Sequence, residues 1–313
     1  MRIVFMGTPD FAVATLAALV RAGHEIPLVV TQPDRPRGRH GALQKSEVRL
    51  FAEAQGIPVI TPERLRQDTA AQEQLREIAP ELIAVTAFGQ ILPREVLEIP
   101  RYGCINVHAS LLPKYRGASP IQWAVLNGDE RAGVTTMMMD VGLDDGDILE
   151  QASIPLDKRE TGGSLFRKLA PLGGELLVKT IADLEAGTMP RTPQNALEAT
   201  KVGMFTKQSG RIDWSESAEK IERMVRGLNP WPSAFTELRG RQLKLWETEL
   251  ADSAALSGEG VRCCAALPGN GSLYTDGRVL YARCGEGVLR ILELQLEGKK
   301  RMRTEEFLRG YQF

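Results

Sequence analysis

The sequence lacks several features that would place it in a common class of protein. Its 313 residues include four cysteines, none in a C-x-x-C pair, which argues against a zinc or dithiol redox site. No apolar run approaches the length of a membrane span, and the first apolar run, MRIVFMG, is too short for a signal peptide. We therefore expect a cytoplasmic protein with reduced cysteines and no membrane partner.

An excess of charge of one sign is also missing. The sequence has 39 Lys and Arg against 40 Asp and Glu, a formal net charge of −1. A nucleic acid partner would therefore have to bind at a local basic patch. The apolar and charged fractions, 43% and 25%, are those of an ordinary globular protein, and the length suits one large domain or two ordinary ones.

Motifs for nucleotides, metals and acyl-enzyme chemistry are absent as well. The first glycine turn, Gly7-Thr8-Pro9-Asp10, does not match the G-x-G-x-x-G pattern, and no G-x-x-x-x-G-K-[ST] phosphate loop occurs. The acidic turn from Gly142 to Asp147 lacks the spacing of a calcium loop, so turn capping is the simpler role for its aspartates. Ser110 has no G-x-S-x-G elbow, which argues against a serine hydrolase.

The first part of the chain alternates between predicted strands and helices. A strand at residues 2–6, a glycine turn, a helix at 11–22 and a strand at 26–31 predict the start of a parallel α/β sheet. The alternation continues as far as a long helix at 163–186.

The composition then changes. Residues 187–210 are rich in proline and polar side chains, and the segments beyond them are short strands separated by glycine turns. We predict an α/β domain at residues 1–189, a linker at 190–206 and a small β-barrel or sandwich at 207–313.

The stretch 103–120, GCINVHASLLPKYRGASP, carries the strongest indication of a site. Asn106 and His108 alternate along a predicted strand and so share one of its faces. The strand ends at Ser110, and ligands of α/β proteins bind beyond the carboxyl ends of strands. Two neighbouring hydrogen-bond donors at such an edge favour a functional site, although a hydrogen-bonded histidine in the core would give the same pattern.

Cations gather in two places. The loop from Pro33 to Arg49 contains Arg35, Arg37, Arg39, His40 and Lys45, and its glycines and prolines predict an exposed, mobile segment. Lys299, Lys300, Arg301 and Arg303 form a second run near the end of the chain. Each run is either a solvated surface or a contact for the phosphate backbone of a nucleic acid, and the sequence leaves both interpretations open.

Together with MMMDVGLDDGDI at residues 137–148, the 103–120 stretch resembles the formyltransferases that use 10-formyltetrahydrofolate. The pairing of N-x-H-x-S-L-L-P with L-D-x-G-D is specific for that family. The segments FMGTPDFA, TQPDRPRGR, AFGQILP, IDW and LNPWPSAF further resemble the branch that acts on methionyl-tRNA.

The resemblance implies a Rossmann-like parallel-sheet domain followed by a β-barrel with an oligonucleotide-binding (OB)-like shape. It also implies transfer of a formyl group from 10-formyltetrahydrofolate to the amino group of initiator methionyl-tRNA, for translation initiation. The expected enzyme needs no metal and is a monomer.

The resemblance assigns roles residue by residue. The catalytic Asn, His and Asp fall on Asn106, His108 and Asp144. The expected folate contacts are Ser110, Leu111, Leu112, Pro113, Phe88, Gly89, Gln90, Ile91, Leu92 and Asp140. The expected tRNA contacts are Arg35, Arg37, Arg39, Lys45, Lys299, Lys300 and Arg301, with Arg39 as the central cation of the first-domain insertion.

Two features depart from the family pattern. Asp145 replaces the usual threonine of L-D-T-G-D and adds a charge beside Asp144, and the insertion GRHGALQKSEVR is poorer in lysine and proline than usual. Two alternatives stay open: a formyltransferase of the same fold acting on an amino sugar nucleotide, and a non-catalytic RNA-binding protein. The second alternative leaves the Asn106, His108 and Asp144 set without a role.

Overall fold

The structure, a computed structural model, describes residues 1–37, 41–268 and 271–313, which form two compact units. The first unit comprises Met1–Pro120, Arg131–Pro155 and Phe166–Val202, and the second comprises Ile121–Glu130, Leu156–Leu165 and Gly203–Phe313. Within the described ranges no helix is long and apolar enough to cross a membrane.

The elements of the first unit are short strands and helices in alternation. The strands are β1 (Ile3–Gly7), β2 (Val29–Val30), β3 (Arg35–Arg37), β4 (Ala42–Gln44), β5 (Val59–Ile60), β6 (Leu82–Thr86), β7 (Cys104–His108), β8 (Arg116–Gly117), β9 (Arg131–Met138), β10 (Ile148–Pro155) and β11 (Lys201–Val202). The helices along this part of the chain are α1 (Asp10–Arg21), α2 (Glu47–Ala54), α3 (Thr69–Ile78), α4 (Arg94–Leu97), α5 (Pro120–Leu126) and α6 (Gly162–Ala186), with a short 3-10 turn at Leu65–Gln67.

Seven strands form the main sheet in the order β10-β9-β7-β6-β1-β2-β5. The five strands β5, β2, β1, β6 and β7 run parallel, while β9 is antiparallel to β7 and β10 is antiparallel to β9. Strands β1 and β6 are buried at every position because the parallel sheet has helices on both faces. The predicted Rossmann-like sheet is confirmed, with an antiparallel pair added at one edge.

The chain reverses its direction of travel across the sheet between β1 and β6. From β1 it proceeds to β2 and β5 on one side, and β6 then begins the other side, so the crevice beyond Gly7 and Thr86 is the switch point at which such sheets bind ligands. Gly7 allows this close approach, since a Cβ there would lie 2.7 Å from Ala12 Cβ and 2.8 Å from the Thr86 carbonyl oxygen.

The second unit is built mainly from the end of the chain. It contains α7 (Ala218–Gly227), α8 (Thr304–Gly310), 3-10 turns at Lys207–Gly210 and Ser253–Ser257, and the strands β12 (Ala234–Leu238), β13 (Arg241–Ala251), β14 (Arg262–Ala266), β15 (Ser272–Thr275), β16 (Leu280–Arg283), β17 (Val288–Leu296) and β18 (Met302–Arg303). These strands form a curled antiparallel sheet in the order β12-β13-β17-β16-β15-β14, with β18 on β17.

An apolar core lies between this sheet and α7. Trp214 is buried, and its indole nitrogen donates a hydrogen bond to Thr236 Oγ1 at 2.9 Å. Ile221 and Val225 of α7 pack into the same cluster. The predicted β domain is confirmed as a curled half-barrel, which is consistent with an OB-like shape.

Candidate active site

His108 ends β7 with both ring nitrogens facing polar groups. Nε2 lies 2.9 Å from the Tyr115 carbonyl oxygen, which can only accept, so Nε2 carries a proton. Nδ1 lies 3.7 Å from Asp144 Oδ2, which is longer than a hydrogen bond. The side chains are 8% and 16% exposed, respectively. Nδ1 therefore faces a carboxylate at short range but makes no hydrogen bond to it. A proton on Nδ1 can be donated to a bound substrate.

Asp144 lies in the turn between β9 and β10 and is held by main-chain groups. Its Oδ2 accepts a hydrogen bond from the Gly117 amide at 2.8 Å. Its backbone has φ +49°, in the left-handed region that costs a non-glycine residue energy and that aspartate tolerates better than most. Strained conformations of this kind persist where the surrounding structure over-determines them.

Asn106 occupies the same face of β7 as His108. It lies in register between Val85 of β6 and Met137 of β9, two residues before the carboxyl end of β7. The residue is half-buried, and no partner for its carboxamide occurs among the described residues. Its Nδ2 is therefore available as a hydrogen-bond donor beside the imidazole.

The Ser110 to Pro113 loop is pinned by Thr135, a fully buried residue of β9. Thr135 Oγ1 donates to the Ser110 carbonyl at 2.6 Å and accepts from the Leu112 amide at 3.1 Å. The Ser110 hydroxyl itself donates to the Lys114 carbonyl at 2.7 Å. Leu112 is buried, while Leu111 and Pro113 are half-buried. The loop is therefore rigid, and the Ser110 hydroxyl is engaged within the protein.

Only part of the loop at 88–92 is exposed to solvent. Phe88 and Leu92 are buried in an apolar cluster of the first unit, whereas Ile91 is 71% exposed. The Gln90 side chain points to the preceding loop, accepting from the Leu65 amide at 2.7 Å and donating to the Pro62 carbonyl at 2.9 Å. Ile91 is thus the apolar side chain of this loop that a ligand can reach.

Two further predicted folate contacts are backbone positions. Gly89 adopts φ +78°, and its carbonyl accepts a hydrogen bond from Gln32 Nε2 at 3.0 Å. Asp140 is exposed, and its Oδ1 accepts from the Val141 amide at 2.7 Å. Val141 and Leu143, which follow Asp140, expose more than half of their apolar side chains.

Several residues that hold this site were missed in the sequence: Gln194 and Thr135 stand in no motif, and Gln32 lies in TQPDRPRGR but was assigned no contact. Gln194 donates from Nε2 to the carbonyl oxygens of Asp144 and Gly146, at 2.9 and 2.7 Å. Thr135 and Gln32 pin the loops described above. A polar residue in a loop belongs to no periodic pattern or motif spacing. The sequence therefore does not reveal its contacts with residues dozens of positions away.

The predicted basic loop contains a two-stranded hairpin, β3 paired with β4, instead of an irregular segment. Arg35 lies 3.8 Å from Glu63, and both are exposed. Lys45 pairs with Glu53 at 2.7 Å. Arg39 lies outside the described residues, and only the backbone of Arg37 is described.

Ion pairs to α2 hold both ends of this hairpin. Arg49 donates to both carboxylate oxygens of Asp34 at 3.1 Å and to Glu53 at 2.9 Å. The hydrogen bond to Glu53 raises the pKa of Arg49, and hydrogen bonds from Lys45 and Arg49 lower the pKa of Glu53. Both shifts favour the charged forms of Arg49 and Glu53. We call the set of four residues Asp34, Lys45, Arg49 and Glu53 the hairpin latch.

The second basic run differs among its members. Arg301 pairs with Glu293, and its guanidinium lies 4.8 Å from the centroid of the Trp246 ring, whose other neighbouring cation is Lys244 at 5.6 Å. Lys299 and Lys300 are exposed, and neither ammonium has an ion-pair partner in the described parts of the chain. Arg303 pairs with Glu247 at 2.7 Å, so this run has two cations without an ion-pair partner and two in ion pairs. No group of three or more His, Cys, Asp or Glu among the described residues is arranged to hold a metal ion.

Comparison with known proteins decides the family. Residues 1–181 match the formyl transferase family, and residues 204–312 match the formyl transferase C-terminal domain. The chain is 54% identical over 313 residues to a methionyl-tRNA formyltransferase of Lachnospira eligens, covering 100% of this chain and 97% of that protein. The chain belongs to the methionyl-tRNA formyltransferases. The resemblance inferred from the motifs is confirmed.

Other members of the methionyl-tRNA formyltransferases are also similar along their whole length. Those of Agathobacter rectalis and Geobacter metallireducens are 51% and 45% identical, each aligned with 99% of this chain and 96% of the relative.

Solved structures share the fold at much lower identity. An N-formyltransferase from Helicobacter canadensis, in complex with folinic acid and dTDP-3-aminofucose, is 18% identical with a TM-score of 0.67, covering 93% of this chain and 98% of the other. HypX from Aquifex aeolicus, in complex with tetrahydrofolic acid, is 18% identical with a TM-score of 0.64, covering 100% of this chain and 48% of the other.

Proposed function

We propose that this protein transfers the formyl group of 10-formyltetrahydrofolate to the amino group of initiator methionyl-tRNA, for translation initiation in the cytoplasm. The observation that carries the proposal is the 44–54% identity over essentially the full chain to methionyl-tRNA formyltransferases. The neighbours bound to tetrahydrofolate and folinic acid support a folate co-substrate.

The arrangement at the carboxyl edge of the sheet suits acyl transfer. In this reaction the amine attacks the formyl carbon, and negative charge develops on the formyl oxygen. Donors aimed at that oxygen are often the largest single catalytic term. Asn106 Nδ2 and a protonated His108 Nδ1 lie on one face of β7 and supply two such donors, while Nε2 is anchored on the Tyr115 carbonyl at 2.9 Å.

Asp144 accepts the proton that the attacking amine loses. Its carboxylate lies 3.7 Å from His108 Nδ1, and it accepts one fixed hydrogen bond from Gly117 at 2.8 Å. Carboxylates have further lone pairs, so Asp144 can accept the ammonium proton directly or through one water. That proton balances the one which the folate N10 gains when the carbon–nitrogen bond breaks.

The folate is held by the loops on either side of this pair. Phe88 to Leu92 and Asp140 to Asp144 offer exposed apolar side chains at Ile91, Val141 and Leu143, which suit a planar ring system. The Asn106 carboxamide, half-buried and unpartnered within the described chain, suits the polar formyl group. The Ser110 to Pro113 loop, which Thr135 holds in place, follows His108 directly along the chain.

Addition of 5-formyltetrahydrofolate, a stable analogue, is expected to raise the melting temperature. A ligand that binds the native state alone stabilises it by about 2.7 kcal/mol at 100 times its dissociation constant. The measurement is a thermal melt with and without the analogue, with folate-free tRNA as the comparison. A melt that responds to tRNA and not to the folate would favour the RNA-binding alternative.

An amino sugar nucleotide as acceptor is disfavoured. The N-formyltransferase bound to dTDP-3-aminofucose is only 18% identical to this chain, whereas the methionyl-tRNA formyltransferases are 44–54% identical. The tRNA acceptor also gives the basic hairpin and the free cations Lys299 and Lys300 a role, since phosphate contacts need local positive charge.

The hairpin latch is expected to act on tRNA affinity. Glu53→Gln removes the ion pairs with Lys45 and Arg49 while making the region more positive. If the latch orders the hairpin for tRNA, KM for methionyl-tRNA rises about two- to fivefold, because exposed ion pairs are individually weak. The measurement is steady-state formyl transfer against tRNA concentration at low salt.

Glu73→Gln is the matched control for this prediction. Glu73 pairs with Arg76 on the surface of α3, so the control makes the same charge change away from the hairpin. A lowered KM in Glu53→Gln would show that net charge, and not the order of the hairpin, sets the affinity.

A further inference from the structure

Residues 191–202, which the composition predicted as part of a linker, are bound to the loops that carry the site. Strand β11 pairs with β8 in parallel, Lys201 opposite Arg116 and Val202 opposite Gly117. The main chain of Thr192 forms a bridge with Ile148 at 2.8 and 2.9 Å. The segment therefore has fixed positions relative to both the loop after β7 and the acidic turn before β10.

Gln194 makes three hydrogen bonds within this arrangement. Its Nε2 donates to the carbonyl oxygens of Asp144 and Gly146, at 2.9 and 2.7 Å, and its Oε1 accepts from Arg116 Nε at 2.9 Å. Arg116 is 9% exposed, and Gln194 is half-buried. Since both halves of the carboxamide are used, its orientation is fixed by its partners.

The partners of Gln194 are the immediate neighbours of the His108–Asp144 pair. Arg116 stands between Tyr115, whose carbonyl accepts from His108 Nε2, and Gly117, whose amide donates to the Asp144 carboxylate. Gln194 reaches the Asp144 side of the pair directly through the main-chain carbonyl. The Gln194 side chain thus links the 115–117 segment, which binds the His108 imidazole, to the turn that carries the Asp144 carboxylate.

Among the described residues, few other contacts hold the acidic turn. Val141, Gly142, Leu143 and Asp145 are exposed, so apolar burial contributes little to its conformation. Among the described contacts that fix it are the Gly117 amide on the Asp144 carboxylate, the Met138 amide on the Asp147 carbonyl at 2.9 Å, the pair of Arg191 Nε with Asp147 Oδ2 at 2.6 Å, and Gln194. Of these, Gln194 is the one that binds the main chain of Asp144 at its left-handed φ of +49°.

We propose that Gln194 is a positioning residue for formyl transfer, which keeps the Asp144 carboxylate beside His108 Nδ1. The inference rests on the proposed function, in which Asp144 accepts the proton of the amine. Gln194 acts through Asp144 and contacts no reacting group. A misplacement of about 1 Å at a reacting centre can cost about 10²-fold in rate.

The test is a double-mutant cycle between Gln194 and Asp144, read as the single-turnover rate of formyl transfer. Gln194→Ala is expected to lower the rate about 10- to 100-fold, with KM for methionyl-tRNA and folate within about twofold. In the Asp144→Asn background the same change is expected to cost less than about threefold, because the group that Gln194 positions is already lost. Asn195→Ala is the control, since the side chain of that exposed neighbour, within the described part of the chain, hydrogen-bonds only to Glu198 and Leu197 of its own loop.

A second variant keeps the test valid if Gln194→Ala does not fold. Gln194→Glu preserves the volume and the acceptor for Arg116 but removes the donor to the two carbonyls, and it is expected to show the same loss of rate. A normal rate in Gln194→Glu, or an equal loss with and without the Asp144 carboxylate, would overturn the inference. A normal rate in Asp144→Asn alone would instead overturn the proposed role of Asp144, which separates the two failures.

Discussion

Replacing Asp144 with asparagine is expected to lower kcat for formyl transfer by about 10²- to 10⁴-fold, the range of general acid–base catalysis. Asparagine has nearly the same volume as aspartate and keeps an oxygen that can accept a hydrogen bond from the Gly117 amide. In the native protein this amide lies 2.8 Å from Asp144 Oδ2. The turn can therefore keep its conformation while the charge is lost. KM for both substrates should stay within about twofold, because the interaction is made chiefly in the transition state.

Asp145→Asn is the matched control for this variant. Asp145 is the next residue and is exposed, so the two changes remove the same charge from neighbouring positions of one turn. Kinetics of both variants with 10-formyltetrahydrofolate and methionyl-tRNA measure the difference. If Asp145→Asn lost as much kcat as Asp144→Asn, the effect would be the net charge of the turn and not proton transfer by Asp144.

Replacing Asn106 with alanine is expected to lower kcat about 10²- to 10³-fold, the cost of one donor to a developing oxyanion. Asn106 Nδ2 is the donor that carries no other hydrogen bond in the described chain, so its removal leaves the imidazole alone to stabilise the formyl oxygen. Asn106→Asp should be at least as damaging, since it replaces the donor by an acceptor without changing the volume. Steady-state kinetics with saturating methionyl-tRNA measure both.

Cys104→Ala is the control for packing on the same strand. Cys104 lies on the same face of β7, two residues before Asn106, and is buried. Burial raises the pKa of its thiol to about 12, so it is neither an acid nor a nucleophile at neutral pH. This variant should lose stability and keep its kcat. If it lost as much kcat as Asn106→Ala, then the shape of β7, and not the donor, would be responsible.

The fold could be predicted because local patterns and tertiary structure agree in the first 190 residues. The apolar runs at Ile3–Gly7 and Leu82–Thr86 are buried on both faces, as central strands of a parallel sheet must be. Helix ends were less certain: the helix predicted at 11–22 is α1, Asp10–Arg21, which begins and ends one residue earlier. The strand order needed the structure, since it depends on contacts between distant parts of the chain.

The candidate site was predictable to the extent that its residues share a strand. Asn106 and His108 lie two apart on β7, so their common face follows from the alternation of side chains. Asp144 was assigned through the family motif, and its approach to His108, at 3.7 Å, reflects the pairing of β7 with β9. The roles of these residues in catalysis remain predictions for the variants above to test.

The contacts that hold the site residues in place were not predictable from the same patterns. Residues 190–206 were interpreted as a linker because their composition is polar and rich in proline. Gln194 instead contacts Asp144, 50 positions earlier in the sequence, and Thr200 accepts from the Tyr115 amide at 2.8 Å across 85 positions. In irregular segments such contacts depend on the whole fold, and no local periodicity of the sequence indicates them.

The most direct test of the central claim is a comparison of acceptors with the purified protein and 10-formyltetrahydrofolate. The account predicts rapid formylation of initiator methionyl-tRNA, and rates at background for glycinamide ribonucleotide and for a dTDP-linked amino sugar. The formyl product is identified by mass spectrometry after release of the amino acid. Faster transfer to either small acceptor than to methionyl-tRNA would contradict the account.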